Sequence, residues 1–319
     1  MDKFPLVCFI VLNWNQADLT VQCLDSLKNQ SYPNFHVIVV DNGSTDGSGA
    51  YIRDRYPWVT VIDQYPNLGY SMGNNVGIEA ALKRGADYLF LLNNDTEVDP
   101  WMLTRLVEVA ESNTHYGIVG PTMYYFDPDK MIWGGENYID WKKAHLIRKH
   151  FMEFDDDSIT SNKTPIEVDY IDTCAVLVKR AVVEKIGLMN GAYFINYDDL
   201  DWNVRARKAG YKVIYVPQAK MWHKVSAAMG QASPATTYYM TRNSLLFFWK
   251  NSPAKWKYLV IFRIFFRTLW VVSAWTVKRE YQSELFRRKR TANLLALRDF
   301  CSGRFGKMGE DVAKICYGQ

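Results

Sequence analysis

Cysteine is scarce in this chain: Cys8, Cys23, Cys174, Cys301 and Cys316 form an odd, scattered set among 319 residues, with no CxxC spacing. A disulfide-stapled scaffold is thereby excluded, and packing roles in a reducing compartment are expected. No apolar centre ending in a small-residue cleavage site follows the first charged residues, so no signal peptide is expected, and residues 4–12 read as a buried strand. Charge-free apolar runs of bilayer length are missing as well. Residues 259–277 come near that length, but Arg263 and Arg267 lie inside, each costing about 2.5 to 3.5 kcal/mol near the membrane centre. A spanning helix is not expected there.

What is present is an ordinary globular composition, 48% hydrophobic and 23% charged, in a chain long enough for one large domain with an appendage. Charge is spread unevenly. Residues 242–298 hold thirteen Lys and Arg against two acids, and residues 299–319 balance at three against three. With +4 over the whole chain, about −7 remains for residues 1–241. A mildly acidic body with a basic end suits an anionic partner, either nucleic acid or a membrane surface.

The first hundred residues alternate. Strands are expected at 6–12, 36–40, 59–62 and 88–92, and helices at 19–28, 48–55 and 73–84. This alternation argues for a mostly parallel sheet covered by helices, with ligands at the carboxyl ends of the strands. Three expected strands end in polar clusters: Asn13-Trp14-Asn15, Asp41-Asn42-Gly43-Ser44-Thr45-Asp46 and Asn93-Asn94-Asp95. Each cluster alone reads equally as a solvated turn. All three should converge on one edge.

In order along the chain stand Val11-Leu12-Asn13-Trp14-Asn15, Val40-Asp41-Asn42-Gly43-Ser44-Thr45-Asp46-Gly47-Ser48, Asn67-Leu68-Gly69-Tyr70-Ser71-Met72-Gly73-Asn74-Asn75-Val76-Gly77, Leu92-Asn93-Asn94-Asp95-Thr96, Tyr197-Asp198-Asp199-Leu200-Asp201 with Arg205, and residues 217–223. This ordered set, over about the first 230 residues, resembles the inverting nucleotide-sugar glycosyltransferases of family two. Within that family the chain is most similar to bacterial rhamnosyltransferases of surface-polysaccharide synthesis. The resemblance implies a GT-A fold, Rossmann-like and α/β, over residues 1–240, with 1–100 mainly nucleotide-binding and 101–240 mainly the acceptor side and the base. Residues 241–319 would form a basic, amphipathic helical region.

The resemblance also implies roles. Asp41 would accept from the N3–H of uracil or thymine, with Asn13, Asn15, Asn42, Asn67, Gly69, Asn74 and Asn93 lining the donor. Asp95 would hold a divalent cation, magnesium or manganese, against the diphosphate, and His223 would reach back to the cation or the diphosphate. Asp199 would be the general base that takes the acceptor's proton. Asp198 and Asp201 would support it, and Asp201 can pair with Arg205 four residues on, either as structural support or facing the diphosphate. The chain departs from the family pattern at Asn93 and Asp198, at Asp172-Thr173-Cys174 and at Asn190-Gly191-Ala192, which leaves sugar and acceptor choice least transferable. Trp133 and Trp141 carry no assignment.

In residues 255–298, Arg263 and Arg267 share one helical face beside Phe262, Phe265, Phe266, Leu269 and Trp270. This pattern suits an interfacial helix on anionic lipid, with packing against the catalytic domain or a second subunit as the competing expectation. The expected enzyme is cytoplasmic and peripheral on the inner face of the cell membrane, taking a dTDP- or UDP-sugar to a glycan or lipid-linked glycan. A nucleotidyltransferase could share the alternation, but its glycine-rich phosphate loop near the N-terminus is missing. A nucleic-acid binder would leave Asp41, Asp95 and Asp199 without purpose, so no nucleic-acid partner is expected.

Overall fold

Val7–Asn13, an apolar and largely β-branched run buried along almost its whole length, forms the first strand, β1, in the computed structural model. The structure describes residues 4–224 and 233–318. After β1 come α1 (Ala17–Leu27), β2 (Phe35–Asn42), α2 (Ser48–Arg55), β3 (Thr60–Gln64), α3 (Gly69–Lys83), β4 (Tyr88–Asn93), β5 (Thr96–Val98) and α4 (Met102–Ser112). The alternation expected for this half is present. Two boundaries move for physical reasons. β2 runs on through Asp41 and Asn42 because its pairing with β1 and β3 continues there. α3 starts at Gly69 because the Asn67 side chain accepts the Gly69 N–H at 2.7 Å, satisfying one of the donors that a helix start leaves open.

The middle of the chain supplies β6 (Tyr116–Tyr125), β7 (Ile132–Gly134), β8 (Asn137–Asp140), β9 (His145–Arg148), β10 (Ile166–Val168), β11 (Ala175–Lys179), α5 (Arg180–Ile186), α6 (Asp198–Lys208) and β12 (Lys212–His223). The main sheet runs β10-β12-β6-β11-β4-β1-β2-β3, with β5 on β12 and β7 on β6. From β4 to β3 its strands are parallel, while β11 enters antiparallel between β4 and β6. α3 packs on β1 and β2, and α4 on β6 and β12. The order reverses beside β1, whose neighbours are β2 and β4, and such reversal points open a crevice at the strands' carboxyl ends.

The chain divides into two compact units. The first comprises Met1–Tyr138, Arg148–Met189 and Trp202–Val225; the second comprises Ile139–Ile147, Asn190–Asp201 and Ser226–Gln319. The expected boundary at residue 240 therefore needs correction: residues 139–147 and 190–201 cluster with the C-terminal helices. In the second unit α7 (Pro234–Asn251), α8 (Lys257–Val277), α9 (Glu284–Cys301) and α10 (Glu310–Tyr317) follow one another. α7 packs on α8, α9 and α10 around Tyr238, Tyr239, Ala292, Ala296 and Val312.

Candidate active site

Strand register builds the first part of the site. Asn13 at the end of β1 stands beside Asp41 at the end of β2. Asn13 Nδ2 donates to Asp41 Oδ1 at 2.8 Å, and the Ser44 hydroxyl donates to the same oxygen. Behind them the Asn94 amide donates to Thr20 Oγ1 (3.1 Å), which donates to Asn13 Oδ1 (2.7 Å). The donors of this buried chain all run toward Asp41, so each bond polarises the next. Asp41 Oδ2 is left without a hydrogen bond among the described residues. It owes its room to Gly49 on α2, where a Cβ would stand 2.5 Å from that oxygen and 2.9 Å from Asp63 Oδ1.

Asn15 adopts a left-handed backbone (φ 51°), accepts from the Thr45 N–H at 2.8 Å and donates its own N–H to the Ser44 hydroxyl at 2.9 Å. Asn42 accepts from the Leu68 N–H (3.0 Å) and donates to the Gly69 carbonyl (3.1 Å), drawing the Asn67–Gly69 turn against β2. Gly43 permits that approach: its φ is +81°, and a Cβ there would lie 2.6 Å from Asn67 N. Of the residues expected to line the donor, Asn13, Asn42 and Asn74 are buried, and their amides donate to partners inside the protein. Asn93 is held by the Tyr70 hydroxyl at 2.8 Å.

The second part of the site lies at the edge where β12 meets β5. Antiparallel pairing sets His223 opposite Thr96, next to Asp95. His223 Nε2 and Asp95 Oδ1 are 3.1 Å apart, and the Lys224 N–H donates to the Asp95 carbonyl at 2.8 Å. Both side chains are buried, and His223 Nδ1 has no hydrogen-bond partner among the described residues. The separation matches the edge of an octahedron about a cation with bonds of about 2.1 Å, roughly 3.0 Å. Among the described residues no group of three or more His, Cys, Asp or Glu is arranged to hold a metal ion by itself. Asp95 and His223 are therefore the two residues that would hold a divalent cation here.

A support for His223 escaped the sequence reading. The Trp133 ring and the His223 ring are perpendicular at 5.0 Å, Arg148 lies 4.3 Å over the Trp133 ring, and Asp172 pairs with Arg148 at 2.9 Å. The Asp172 charge holds the Arg148 guanidinium well above its ordinary range. Asp172 also accepts from Asn137 at 3.0 Å. Only the departure from the family pattern at Asp172 hinted at this network. Cys23, beside Asn93 and Thr96, is pushed up to about 12 by burial and remains an inert thiol.

The acidic cluster expected at the base occupies the first turn of α6. Asp198 and Asp201 are buried, whereas Asp199 is half-buried and its Oδ1 accepts from the Leu200 N–H at 2.8 Å. Asp201 accepts from the Tyr193 hydroxyl (3.2 Å) and Asn251 (3.0 Å). Arg205 directs its guanidinium at the Ile186 and Leu188 carbonyls, 2.6 and 2.8 Å away, which gives it a bracing role. Loss of solvent around its ring pushes the Tyr197 hydroxyl up to about 12, so it stays protonated at neutral pH.

The segment leading into α6 is irregular: Phe194, Asn196 and Tyr197 all have φ between 65° and 68°. Left-handed backbone in such residues costs of order 1 kcal/mol or more each and persists only where surroundings enforce it. Arg242 and Asn243 of α7 enforce it. Asn243 donates to the carbonyls of Tyr193 (2.8 Å), Ile195 (2.8 Å) and Asn196 (3.1 Å), and Arg242 to those of Ala192 and Tyr193. Both are almost fully buried.

Residues 8–187 match the family model described as glycosyl transferase family 2. Over 249 residues the chain is 26% identical to an N-acetylglucosaminyl-diphospho-decaprenol L-rhamnosyltransferase of Mycobacterium tuberculosis, covering 69% of this chain and 78% of that one. Over 241 residues it is 25% identical to dTDP-rhamnosyl transferase RfbF of Shigella flexneri, covering 72% and 74%. Among solved structures, the mannosyltransferase PcManGT from Pyrobaculum calidifontis, in complex with GDP-Man and Mn2+, aligns with a TM-score of 0.58 at 16% identity over 95% of this chain and 89% of that one. Identity that low speaks for the fold alone, a mixed α/β GT-A architecture. With more than half its length inside the family match and the polar strand ends gathered on one sheet edge, the chain belongs to glycosyl transferase family 2.

Proposed function

We propose that this glycosyltransferase moves L-rhamnose from dTDP-L-rhamnose to a lipid-linked glycan, with inversion, at the inner face of the cell membrane. The carrying observation is Asp41, whose Oδ1 is saturated by Asn13 and Ser44 while Oδ2 remains for a donor such as the N3–H of thymine or uracil. The choice of sugar and of a lipid-linked acceptor follows the two rhamnosyltransferase relatives. Asn15, Asn67 and Gly69 shape the nucleoside side of the pocket. Asp95 and His223 would hold a divalent cation, which when bound acts as a Lewis acid and template for the leaving diphosphate.

Asp199 is the proposed base. An inverting transfer is one displacement: the acceptor oxygen forms its bond to the anomeric carbon as the bond to the diphosphate breaks, and a carboxylate takes the acceptor's proton. Among the three carboxylates of the first turn of α6, Asp199 is the one that is not fully buried, while Asp198 and Asp201 hold the turn. Residues 255–298 are the proposed membrane contact. Calorimetric titration with dTDP, UDP and GDP, each with and without manganese, tests the donor reading. Manganese-assisted binding of dTDP and UDP, with GDP far weaker, is expected; GDP binding as tightly as dTDP would overturn the pyrimidine assignment.

A further inference from the structure

We propose that the outward face of α8 inserts into the interfacial layer of an anionic bilayer, and that the groove between α7, α8 and α9 seats the phosphate head group of a phospholipid. This deepens the membrane contact proposed above and rests on that reading only in taking the enzyme's workplace to be a membrane surface.

α8 is 21 residues long, and its most apolar 18-residue window has a mean hydropathy of 1.5 with only 17% of it buried. Its buried positions are Val260, Ile264 and Thr268, a narrow seam at four-residue spacing. A second row at the same spacing points outward: Tyr258, Phe262, Phe266 and Trp270 are 75%, 60%, 62% and 70% exposed. The Phe262 and Phe266 rings lie tilted against each other with centroids 5.0 Å apart, making a continuous ridge. Aromatic ridges of this extent are not left against water in soluble proteins; something covers them.

Charge selects the cover. α8 contains no acid and carries Lys257, Arg263 and Arg267, with Lys255 and Lys278 at its ends. A two-fold contact with a second copy sets a patch against itself and would bring these cations together. A bilayer bearing anionic head groups complements both the ridge and its cationic margin.

The groove supplies a specific seat. It encloses about 310 Å³, and its polar lining comes from Thr236, Thr237 and Thr241 of α7, Arg267 and Thr268 of α8 and Asn293 of α9. No acid lines it. Arg267 has neither a hydrogen bond nor an ion pair among the described residues. Asn293, only 4% exposed, accepts the Thr241 hydroxyl at 2.7 Å through its oxygen, which leaves its amide N–H groups for a ligand. Thr236 and Thr237 belong to the first turn of α7, whose dipole favours an anion. Arg267 follows Phe266 directly, so a head group at Arg267 has its acyl chains beside the ridge.

Flotation of the full-length protein with phosphatidylcholine vesicles, with and without phosphatidylglycerol, tests the proposal. The native protein should float with the anionic vesicles. The double variant F262S/F266S should bind at least about tenfold more weakly, since two aromatic side chains lose their burial. Tyr258→Ser with Trp270→Ser is an independent pair at equally exposed sites. Arg267→Gln should weaken binding to anionic vesicles about fivefold. Inorganic phosphate should not displace the protein.

Native protein that stays at the bottom of the gradient would overturn the proposal. So would a sedimenting dimer that F262S/F266S turns into monomer, which would make a second copy the cover. Displacement by inorganic phosphate, or an Arg267→Gln variant that floats like the native protein, would remove the lipid seat. dTDP titration of the same samples separates the two readings. Protein that floats but binds no nucleotide refutes the donor assignment and leaves this proposal standing; protein that binds dTDP and does not float does the reverse.

Discussion

At the scale of single residues, the site turns on which oxygen or nitrogen is already engaged. Asp41 has one oxygen saturated and one open, and the room beside the open one exists because residue 49 has no side chain. Gly49→Ala should therefore weaken dTDP binding at least tenfold by calorimetry, even though alanine favours a helix by about 0.5 to 1 kcal/mol. Unchanged affinity would mean that Asp41 does not face the nucleotide. Asp199→Asn should leave dTDP affinity as it is while transfer falls by roughly 10² to 10⁴-fold, the usual contribution of a positioned base; product formation from the sugar nucleotide at the native rate would exclude Asp199. Asp41 and Asp95 were legible in the sequence because they end apolar runs. Thr20, Gly49 and Trp133 were not, because each looks like ordinary helix or core filling until the fold shows its neighbour.

At the scale of elements, register and bracing place the chemistry. His223 meets Asp95 because β12 pairs antiparallel with β5, a long-range pairing that no local pattern encodes. The parallel alternation of the first hundred residues was legible, since periodicity is local. The antiparallel entry of β11 was not, since strand order depends on contacts far apart in sequence. α7 illustrates the same limit: no local pattern marks Arg242 and Asn243, yet they hold the irregular turn before α6. Asn243→Ala strips the Ile195 and Asn196 carbonyls of their donor and leaves the Tyr193 carbonyl to Arg242 alone, a loss of about 1 to 3 kcal/mol. The expected result is a lower melting temperature and a fall in turnover number, with the dissociation constant for dTDP unchanged. A variant that melts lower but turns over normally would make the brace purely structural.

At the scale of the whole molecule, the two units are interleaved along the chain, which passes between them five times. No single cut separates them. A fragment ending at residue 240 lacks Arg242 and Asn243 and should lose order in residues 190–201, read as rapid amide exchange or proteolysis confined to that stretch; native-like protection there would show that α7 is dispensable. Uneven charge was legible from counting alone, and the place where it is displayed was not, because only the packing of α7 on α8 and α9 decides which helical face stays outside.

The brace on the turn before α6 also sets a clock during synthesis. Residues 192–196 leave the ribosome about 50 residues ahead of Arg242 and Asn243, the side chains that fix the left-handed backbone at Phe194 and Asn196. At about 5 to 20 residues per second the turn waits several seconds, so every strand of the main sheet is synthesised before that turn can be fixed.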